Sequence, residues 1–417
     1  MQEKPLLLAP VGDWVSLRAA LQAGCDEVYF GLDGFNMRAN ARNFGLEDVA
    51  KVVGQCHQEQ VKAYITVNTI VYEGEISEIE DVIGQLGRAG VDAVIAWDMG
   101  VVDVCDRLGM EVHLSTQASV SNSGAVEFYK SNVSCLKRII LARECSLSDV
   151  RTIIKRCPEV EFETFVHGAM CVSVSGRCFL SQEVFGRSAN RGDCLQPCRR
   201  EYLIRDADEG HEFVLGRDYV LSARDMCALP FIEKLIEAGI SSFKIEGRSR
   251  SGEYVSTVVG VYRRVIDYYW EHREQIQSDE RVHSEFAELK QGLMVRLKSV
   301  YNRKFSDGFF MGRPVGQWSG SYGSQASTRK IYVGKVLNFY GKISVAEVKV
   351  EADTISLGED IMFLGATTGV FEQKAEQMQI NASDVSSAVQ GDVVGVKTVG
   401  RVRRNDKLYK IVPVNAD

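Results

Sequence analysis

Residues 6–32 read LLLAPVGDWVSLRAALQAGCDEVYFGL, and this stretch contains the repeating unit that decides the fold. A short apolar run at 6–10 is followed by a helix-like segment at 13–24 and a second apolar run at 27–32. This order predicts a strand, a helix and another strand. Two strands joined through a helix lie parallel in one sheet, so the stretch predicts a βαβ unit.

The alternation continues to residue 272. Eight apolar runs predict strands, at 6–10, 27–32, 61–67, 91–97, 111–116, 138–142, 160–166 and 241–247. Eight other segments predict helices, at 13–24, 46–59, 76–89, 99–108, 121–131, 146–157, 229–239 and 251–272. Eight such units match an α/β TIM (β/α)8-type barrel, and their number favours it over a doubly wound sheet, which also uses βαβ units.

The chain beyond this barrel domain (1–272) changes character twice. A charged helical stretch leads into a segment rich in Gly, Ser and Arg, which predicts a helical and irregular connector over 273–328. Short alternating strands separated by Gly and Asp turns then predict a small C-terminal all-β barrel domain over 329–417.

Composition bounds the class of protein. The 417 residues carry a formal net charge of −7, with 45% apolar and 25% charged residues, as in a globular protein with a full core. The net charge argues against nonspecific polyanion binding. The N-terminus shows neither a secretory signal nor a membrane span. We therefore expect a cytoplasmic protein, with neither membrane nor DNA as a partner.

Four of the eleven cysteines fall within 28 residues, in HGAMCVSVSGRCFLSQEVFGRSANRGDCLQPCRREY (167–202). In a reducing compartment, clustered cysteines more often bind metals or act in catalysis than form disulfides. The spacing C-x6-C-x15-C-x3-C lacks the two close pairs of structural zinc sites. An iron–sulfur cluster on Cys171, Cys178, Cys194 and Cys198 is the first hypothesis, with zinc and buried or redox thiols as alternatives. Cys227 is a reserve ligand.

In a TIM barrel the active site lies at the C-terminal ends of the strands, and the cysteine loop follows the seventh. The residues at these ends are Pro10, Asn68, Asp98, Gln117, Arg143, His167, Glu246 and Arg248. Each also allows a structural interpretation. Asn68 can cap a turn, Asp98 and Ser121 can cap helices, and Glu246 can pair with Arg248. His167 can orient the cysteine loop, titrate near neutrality as an acid–base group, or contact a carboxylate.

Two groups of basic residues indicate RNA contact. The strip on the C-terminal domain is equally consistent with a solvated hairpin face, and it comprises Lys397, Arg401, Arg403, Arg404, Lys407 and Lys410. The group near the presumed barrel mouth comprises Arg187, Arg191, Arg199, Arg200, Arg248 and Arg250.

The chain resembles the collagenase-like family called peptidase U32. The resemblance rests on LLAPVGDWVSLRAALQAGCDEVYFGL (7–32), HGAMCVSVSGRCFLS (167–181), NRGDCLQPCRREY (190–202) and FKIEGRSRSGEYVSTVVGVYRRVID (243–267). It continues through YNRKFSDGFF (301–310) and the C-terminal β region, so it covers nearly the whole chain.

The resemblance implies a 4Fe–4S cluster, oxygen-independent hydroxylation and prephenate as the hydroxyl donor of the RNA-acting members. Cys171, Cys178 and Cys194 match the first three cluster ligands. The fourth varies in the family, and we expect Cys198, with Cys227 in reserve. The length of the chain, its set of cysteines and its C-terminal β domain favour one branch of the family, the branch that makes 5-hydroxyuridine at the tRNA wobble position. Relatives act on a ribosomal RNA cytidine or in ubiquinone synthesis.

The same resemblance bears on partners and on the donor site. It implies tRNA as a partner, and a related subunit or homo-oligomer because some relatives act as heterodimers. Arg143, Arg248 and His167 are expected to hold a dicarboxylate donor such as prephenate, since guanidinium groups pair bidentately with carboxylates.

The family's name makes a peptidase the alternative enzyme class. The sequence has neither H-E-x-x-H nor G-x-S-x-G, and a catalytic thiol needs one cysteine beside a base rather than four on a loop. A non-catalytic RNA-binding protein with a structural metal is the third class.

Overall fold

The computed structural model describes residues 3–38, 43–174, 177–200, 202–205, 207–210, 212–214, 221–313, 317–320 and 323–414. The first strands are β1 (Leu6–Pro10), β2 (Glu27–Gly31), β3 (Lys62–Thr66), β4 (Ala93–Ala96), β5 (Val112–Leu114), β6 (Leu136–Ile140), β7 (Glu161–Gly168), β8 (Leu203–Arg205), β9 (Glu212–Val214), β10 (Asp225–Cys227) and β11 (Ser242–Ile245). The helices are α1 (Trp14–Gln22), α2 (Val49–Gln58), α3 (Ile76–Arg88), α4 (Met99–Leu108), α5 (Ser123–Asn132), α6 (Leu147–Arg156), α7 (Leu180–Phe185), α8 (Ile232–Glu237), α9 (Gly252–Ser278) and α10 (Glu280–Ser299).

The strands β1 to β7 and β11 form a closed, parallel eight-stranded barrel. Successive strands pair in chain order, and β11 closes the ring by pairing with both β1 and β7. Six of the eight predicted runs contain one of these strands and the other two, 138–142 and 160–166, overlap β6 and β7, so the TIM-type barrel is confirmed and the doubly wound sheet is excluded. Beside the ring, β10 pairs antiparallel with β7 and carries Cys227 opposite His167.

Side-chain capping explains where the helix of the first βαβ unit begins. Asp13 and Ser16 cap the start of α1 reciprocally, because each side chain accepts the other's backbone N–H, at 2.8 and 2.9 Å. The helix then buries Leu17, Ala20 and Leu21 against the barrel. The unit thus folds as its sequence predicts.

The barrel interior holds a buried ionic network. Glu163 on β7 accepts hydrogen bonds from Lys244 on β11 at 2.8 Å and from Arg138 on β6 at 3.3 Å. Arg138 also donates both Nη groups to Glu27 on β2, at 2.8 and 2.9 Å. These four side chains are at most 4% exposed. The half-buried Glu161 on β7 accepts two further hydrogen bonds from Arg138, at 2.9 and 3.0 Å. Three carboxylates therefore surround two cations, and the network joins four strands.

Glu163→Gln tests the network. We expect this change to lower the free energy of unfolding by about 3 kcal/mol or more, because removing one partner leaves buried charge uncompensated. The measurement is a urea titration, with the exposed Glu271→Gln on α9 as the matched control. Equal midpoints for the two variants would contradict a structural role for the network.

The helix α9 continues six residues past 272, the predicted end of the barrel domain, and α10 folds back against it. The predicted connector therefore begins within a helix. The irregular part that follows includes β12 (Phe305–Ser306), which extends the barrel sheet by pairing with β10.

The C-terminal region is antiparallel and all-β, as predicted. Its strands are β13 (Thr328–Tyr340), β14 (Val345–Val350), β15 (Ile355–Ser356), β16 (Asp360–Gly365), β17 (Gly369–Lys374), β18 (Met378–Ile380), β19 (Ser383–Asp384), β20 (Ser387–Ala388), β21 (Val393–Lys397) and β22 (Lys407–Pro413). Eight of them pair in one series from β17 to β19, and β15 pairs with β20. This region has its own apolar core and contacts the barrel through an ion pair of Lys330 with Glu253 at 2.6 Å.

Candidate active site

One pocket opens at the C-terminal ends of the barrel strands. It brings together the four clustered cysteines and five of the other residues predicted from strand ends. The residues on its wall include Asn68, Gln117, Arg143, Cys171, Cys178, Cys194, Cys198, Glu246 and Arg248. The barrel mouth and the cysteine loop thus form a single site.

The loop after β7 folds back over the barrel mouth through local contacts. Gly168 has φ +110° and a Cβ there would lie 2.6 Å from the carbonyl oxygen of Glu246, so only glycine fits where the loop leaves the strand. Further on, the Cys178 N–H donates to Asn190 Oδ1 at 3.0 Å. Arg191 anchors the loop to the barrel by an ion pair with Glu75 at 2.6 Å. The cysteines are therefore held at the mouth.

The four thiols share the pocket wall, with Cys171 exposed and the other three half-buried. Burial raises the pKa of the Cys194 and Cys198 thiols, and the charges of the neighbouring cysteines add to the effect. In the described part of the chain, no three His, Cys, Asp or Glu side chains are close enough to hold a metal ion. Cysteine sulfurs are the donors that iron–sulfur clusters use, so these residues fit a cluster in kind and in number, and binding one would require the four thiols to move closer together.

A cationic wall faces the thiols. Glu246 lies 3.4 Å from Arg38 Nη2 and 3.8 Å from Arg143 Nη2. Burial favours a raised pKa for Glu246, but Arg38, Arg143 and Arg248 outweigh it and lower the pKa. One carboxylate therefore stands among three guanidinium groups, which leaves positive charge for an anionic ligand.

Each guanidinium is positioned by the barrel. Arg143 lies 3.9 Å above the Phe165 ring and donates to the Ala169 carbonyl at 3.1 Å, while its buried Nε lacks a partner among the described residues. Arg248 donates to Thr66 Oγ1 at 2.7 Å, so the predicted Glu246–Arg248 pair is replaced by a bond to the barrel wall. Burial lowers the pKa of Arg248 to about 10.

Asn68 and Gln117 form an amide pair on the opposite wall. Asn68 Nδ2 donates to Gln117 Oε1 at 2.9 Å, and Gln117 Nε2 donates to the Asn68 carbonyl at 2.9 Å. Trp97 Nε1 donates to the same carbonyl at 2.9 Å. Asn68 is therefore part of the pocket wall as well as of a local turn.

His167 lies behind the pocket rather than in it. It is 1% exposed, its Nδ1 lies 3.4 Å from the Tyr262 hydroxyl, and the rings of Tyr254 and Phe305 also pack on it. Burial lowers its pKa to about 3. The expectation that His167 titrates near neutrality is therefore wrong. The expectation that it contacts a donor carboxylate directly is also wrong, because its side chain is enclosed. Its position under the loop leaves it an orienting role.

The burial of His167 predicts a pH dependence of stability. In the unfolded chain His167 binds a proton below about pH 6.5, whereas in the folded protein it binds one only near pH 3. The free energy of unfolding therefore falls as the pH is lowered from about 6.5 to 3. His167→Phe should make the decline between pH 6 and 4 shallower, by at most about 1.4 kcal/mol per pH unit. The exposed His283→Gln is the matched control. An unchanged slope in His167→Phe, measured by urea unfolding at each pH, would contradict the assignment.

Other predicted residues fall outside the pocket. Cys227 is buried in β10, where its sulfur lies 3.8 Å from the Tyr262 hydroxyl and burial raises its pKa to about 11. It therefore does not share the pocket with the other four. Asp98 caps α4 by accepting from Gly100 N at 3.0 Å, which confirms its structural interpretation. Asn122, not Ser121, caps α5. Pro10 ends β1 without reaching the pocket wall.

The two basic groups differ in their surroundings. On the C-terminal strip, Lys410 is buried and paired with Asp353 at 2.9 Å, whereas the other five residues are exposed. The expectation that Lys410 meets phosphate is therefore wrong. Near the mouth, Arg187 pairs with Asp193 and Arg191 with Glu75, whereas Arg199, Arg200 and Arg250 line a cavity beside Cys194.

The ionisable residues of the pocket wall that lie outside the predicted set are Tyr29, Arg38 and Lys244. Arg38 follows β2, so the rule that selects residues after strand ends applies to it as well. Lys244 stands in the apolar run of β11, 4.3 Å from the centre of the Tyr29 ring, and a charged residue within a buried strand is its only sequence signal.

Comparisons with known proteins find similarity across most of the chain. Residues 12–320 match the family model described as Peptidase family U32. A protein named Collagenase from Porphyromonas gingivalis is 39% identical, over 97% of this chain and 97% of its own. The tRNA hydroxylation protein P1 of Bacillus subtilis is 36% identical, over 87% of this chain and 84% of its own. The 23S rRNA 5-hydroxycytidine C2501 synthase of Escherichia coli is 39% identical, over 64% of this chain and 40% of its own.

Within the described residues, no helix is both long enough and apolar enough to cross a membrane.

Proposed function

The chain belongs to peptidase family U32, and we propose that it uses the family's barrel as an iron–sulfur-dependent RNA hydroxylase. Its product is 5-hydroxyuridine at the wobble position of tRNA in the cytoplasm. Prephenate rather than oxygen is the source of the hydroxyl group, and replacing the uracil C5–H bond releases a proton to solvent and two electrons to an external electron acceptor. The observation that carries this proposal is the meeting of four cysteines and three arginines at one pocket. Similarity to the named tRNA and rRNA modification proteins supports the choice of substrate.

Each side chain of the pocket has a distinct role in this proposal. Cys171, Cys178, Cys194 and Cys198 would hold a 4Fe–4S cluster, which supplies one-electron redox chemistry when bound. Asn68 and Gln117 line the pocket and hold each other by hydrogen bonds, and the second N–H of each amide would bind the carbonyl edge of a pyrimidine ring.

The arginines bind the hydroxyl donor. Arg38, Arg143 and Arg248 carry more positive charge than Glu246 neutralises, as a dicarboxylate requires. Glu246 holds Arg38 and Arg143 toward the pocket, and the tyrosine and phenylalanine rings below them exclude water.

The cysteines are tested by iron and sulfide analysis of protein purified without oxygen. We expect about four of each per wild-type chain, because the four pocket thiols complete one cluster. Cys198→Ala should lower both contents and abolish 5-hydroxyuridine in tRNA from cells that depend on the variant. Cys227→Ala is the control and should retain the cluster, because Cys227 lies outside the pocket. Full modification activity in both Cys194→Ala and Cys198→Ala would overturn the cluster proposal.

The donor site is tested by Arg143→Gln. Loss of one charged hydrogen-bond partner should raise the prephenate concentration for half-maximal modification by about 10-fold or more. The matched control is Arg187→Gln on the loop surface, which should behave as the wild type. If iron content is normal in Arg143→Gln and the prephenate dependence is unchanged, the donor does not bind at this wall.

A peptidase is the second candidate function, favoured by similarity to Collagenase along the whole chain. A thiol peptidase needs a histidine within hydrogen-bond reach of its cysteine. His167, the histidine nearest in sequence to Cys171, is enclosed by aromatic rings outside the pocket. Gelatin hydrolysis by iron-free protein that is lost in Cys178→Ala would favour the peptidase over the hydroxylase.

A further inference from the structure

A groove leads away from the cysteine pocket. Cys194 and Cys198 stand at the boundary, since both line the pocket and the adjoining cavity. Beyond them the cavity wall carries four arginines and a tyrosine, a set we call the arginine groove: Arg199, Arg200, Arg250 and Arg303 with Tyr301. The groove and the site are therefore one continuous path.

The arginine groove has an excess of positive charge. Four guanidinium groups line it, and Glu246 at the pocket end is the one carboxylate on its wall within the described chain. Below the wall, Asp225 lies 3.6 Å from Arg303 and accepts its backbone N–H at 3.1 Å. Burial lowers the pKa of Arg303, and the charge of Arg199 lowers it further. One buried carboxylate thus offsets only part of the charge.

The guanidinium groups are held in place before any ligand arrives. Arg250 lies 3.5 Å from the centre of the Tyr301 ring. Arg199 donates to Ser222 Oγ at 2.8 Å and to the carbonyls of Ala223 and Met170 at 2.6 Å each. Fixed cations lose less conformational entropy on binding than free side chains do, so the groove is preorganised for an anion.

The shape of the path indicates which anion. A row of fixed cations that ends at a pocket suits a chain of phosphates whose last unit enters the pocket. A base stacked inside a duplex reaches a pocket in the mouth of a barrel only after it is flipped out, whereas a nucleotide of an unpaired segment enters without that cost. The exposed strip on the C-terminal region contributes no residue to this pocket or to the cavities that adjoin it.

We propose that the arginine groove binds the backbone phosphates of a single-stranded RNA segment and leads its target nucleotide past Cys194 into the pocket. The choice of RNA rests on the proposed function. The affinity for a single-stranded polyanion rests only on the groove. The groove proposal and the proposed function can therefore fail separately.

The experiment measures binding of the full chain to a fluorescent single-stranded oligoribonucleotide of about 12 nucleotides, a length within the usual site size for single strands, by anisotropy at several salt concentrations. The test variant is the double change Arg200→Ala and Arg250→Ala. The matched control is Arg401→Ala and Arg404→Ala, two exposed arginines of the C-terminal strip. We expect at least about 10-fold weaker binding for the groove variant. The slope of log affinity against log salt concentration should be smaller by about 0.7 for each phosphate that the variant no longer neutralises. The control should remain within about twofold of the wild type.

Arg303 is left intact because its removal would leave Asp225 buried without its partner. The melting temperatures of both double variants should match the wild type, and tRNA modification in cells should fall only in the groove variant. The proposal would be overturned if the groove variant bound the oligoribonucleotide with the affinity and the salt dependence of the wild type. Loss of binding in the control instead would move the site to the C-terminal strip, and tighter binding of a duplex would exclude a single strand.

The same data separate the two proposals. If the groove variant loses RNA binding while the wild type makes no 5-hydroxyuridine, the groove stands and the proposed function fails. If the wild type makes 5-hydroxyuridine and the groove variant binds and modifies tRNA equally well, the groove proposal fails and the function stands.

Discussion

Glu163 is the constraint on which the barrel depends, because two buried cations share its carboxylate. It lies opposite Ser242 at the seam where β7 and β11 close the ring, and it reaches Lys244 across that seam and Arg138 on the other side. A shift of either strand by one residue would turn these side chains away from each other. Burying the unpaired charges would cost several kcal/mol. The network therefore fixes the register of the closing strands.

That register determines the geometry of the site. With β7 and β11 fixed, Gly168 lies against the Glu246 carbonyl, so the cysteine loop and the Glu246 carboxylate begin from adjacent points. Arg143 from the end of β6 and Arg38 from the loop after β2 then converge on Glu246. The thiols and the cationic wall come from four separate chain segments, yet they meet because parallel strands end at the same face. Lys244 joins the two parts, since it belongs to the network and lines the pocket.

The sequence predicts the barrel and much of the site because both follow from periodicity. Eight apolar runs locate the strands, and residues after their ends include Asn68, Gln117, Arg143 and Glu246, which the fold brings together. Periodicity carries no information on side-chain neighbours, which explains the errors. His167 ends a strand like the others, but three aromatic rings from β12 and α9 enclose it. Lys410 appears as part of a basic strip, yet Asp353, distant in sequence, neutralises it.

Family membership alone does not decide between peptidase and RNA hydroxylase, because one fold supports many chemistries and function follows from the site. Peptide hydrolysis would need one activated nucleophile and its base, and excess cationic charge would add nothing to it. Four cysteines beside uncompensated arginines, with a second row of arginines leading to them, instead suit an anionic donor and a polyanionic substrate. The arrangement of charge, more than the identity of any one residue, therefore makes RNA hydroxylation the proposal that accounts for the whole site.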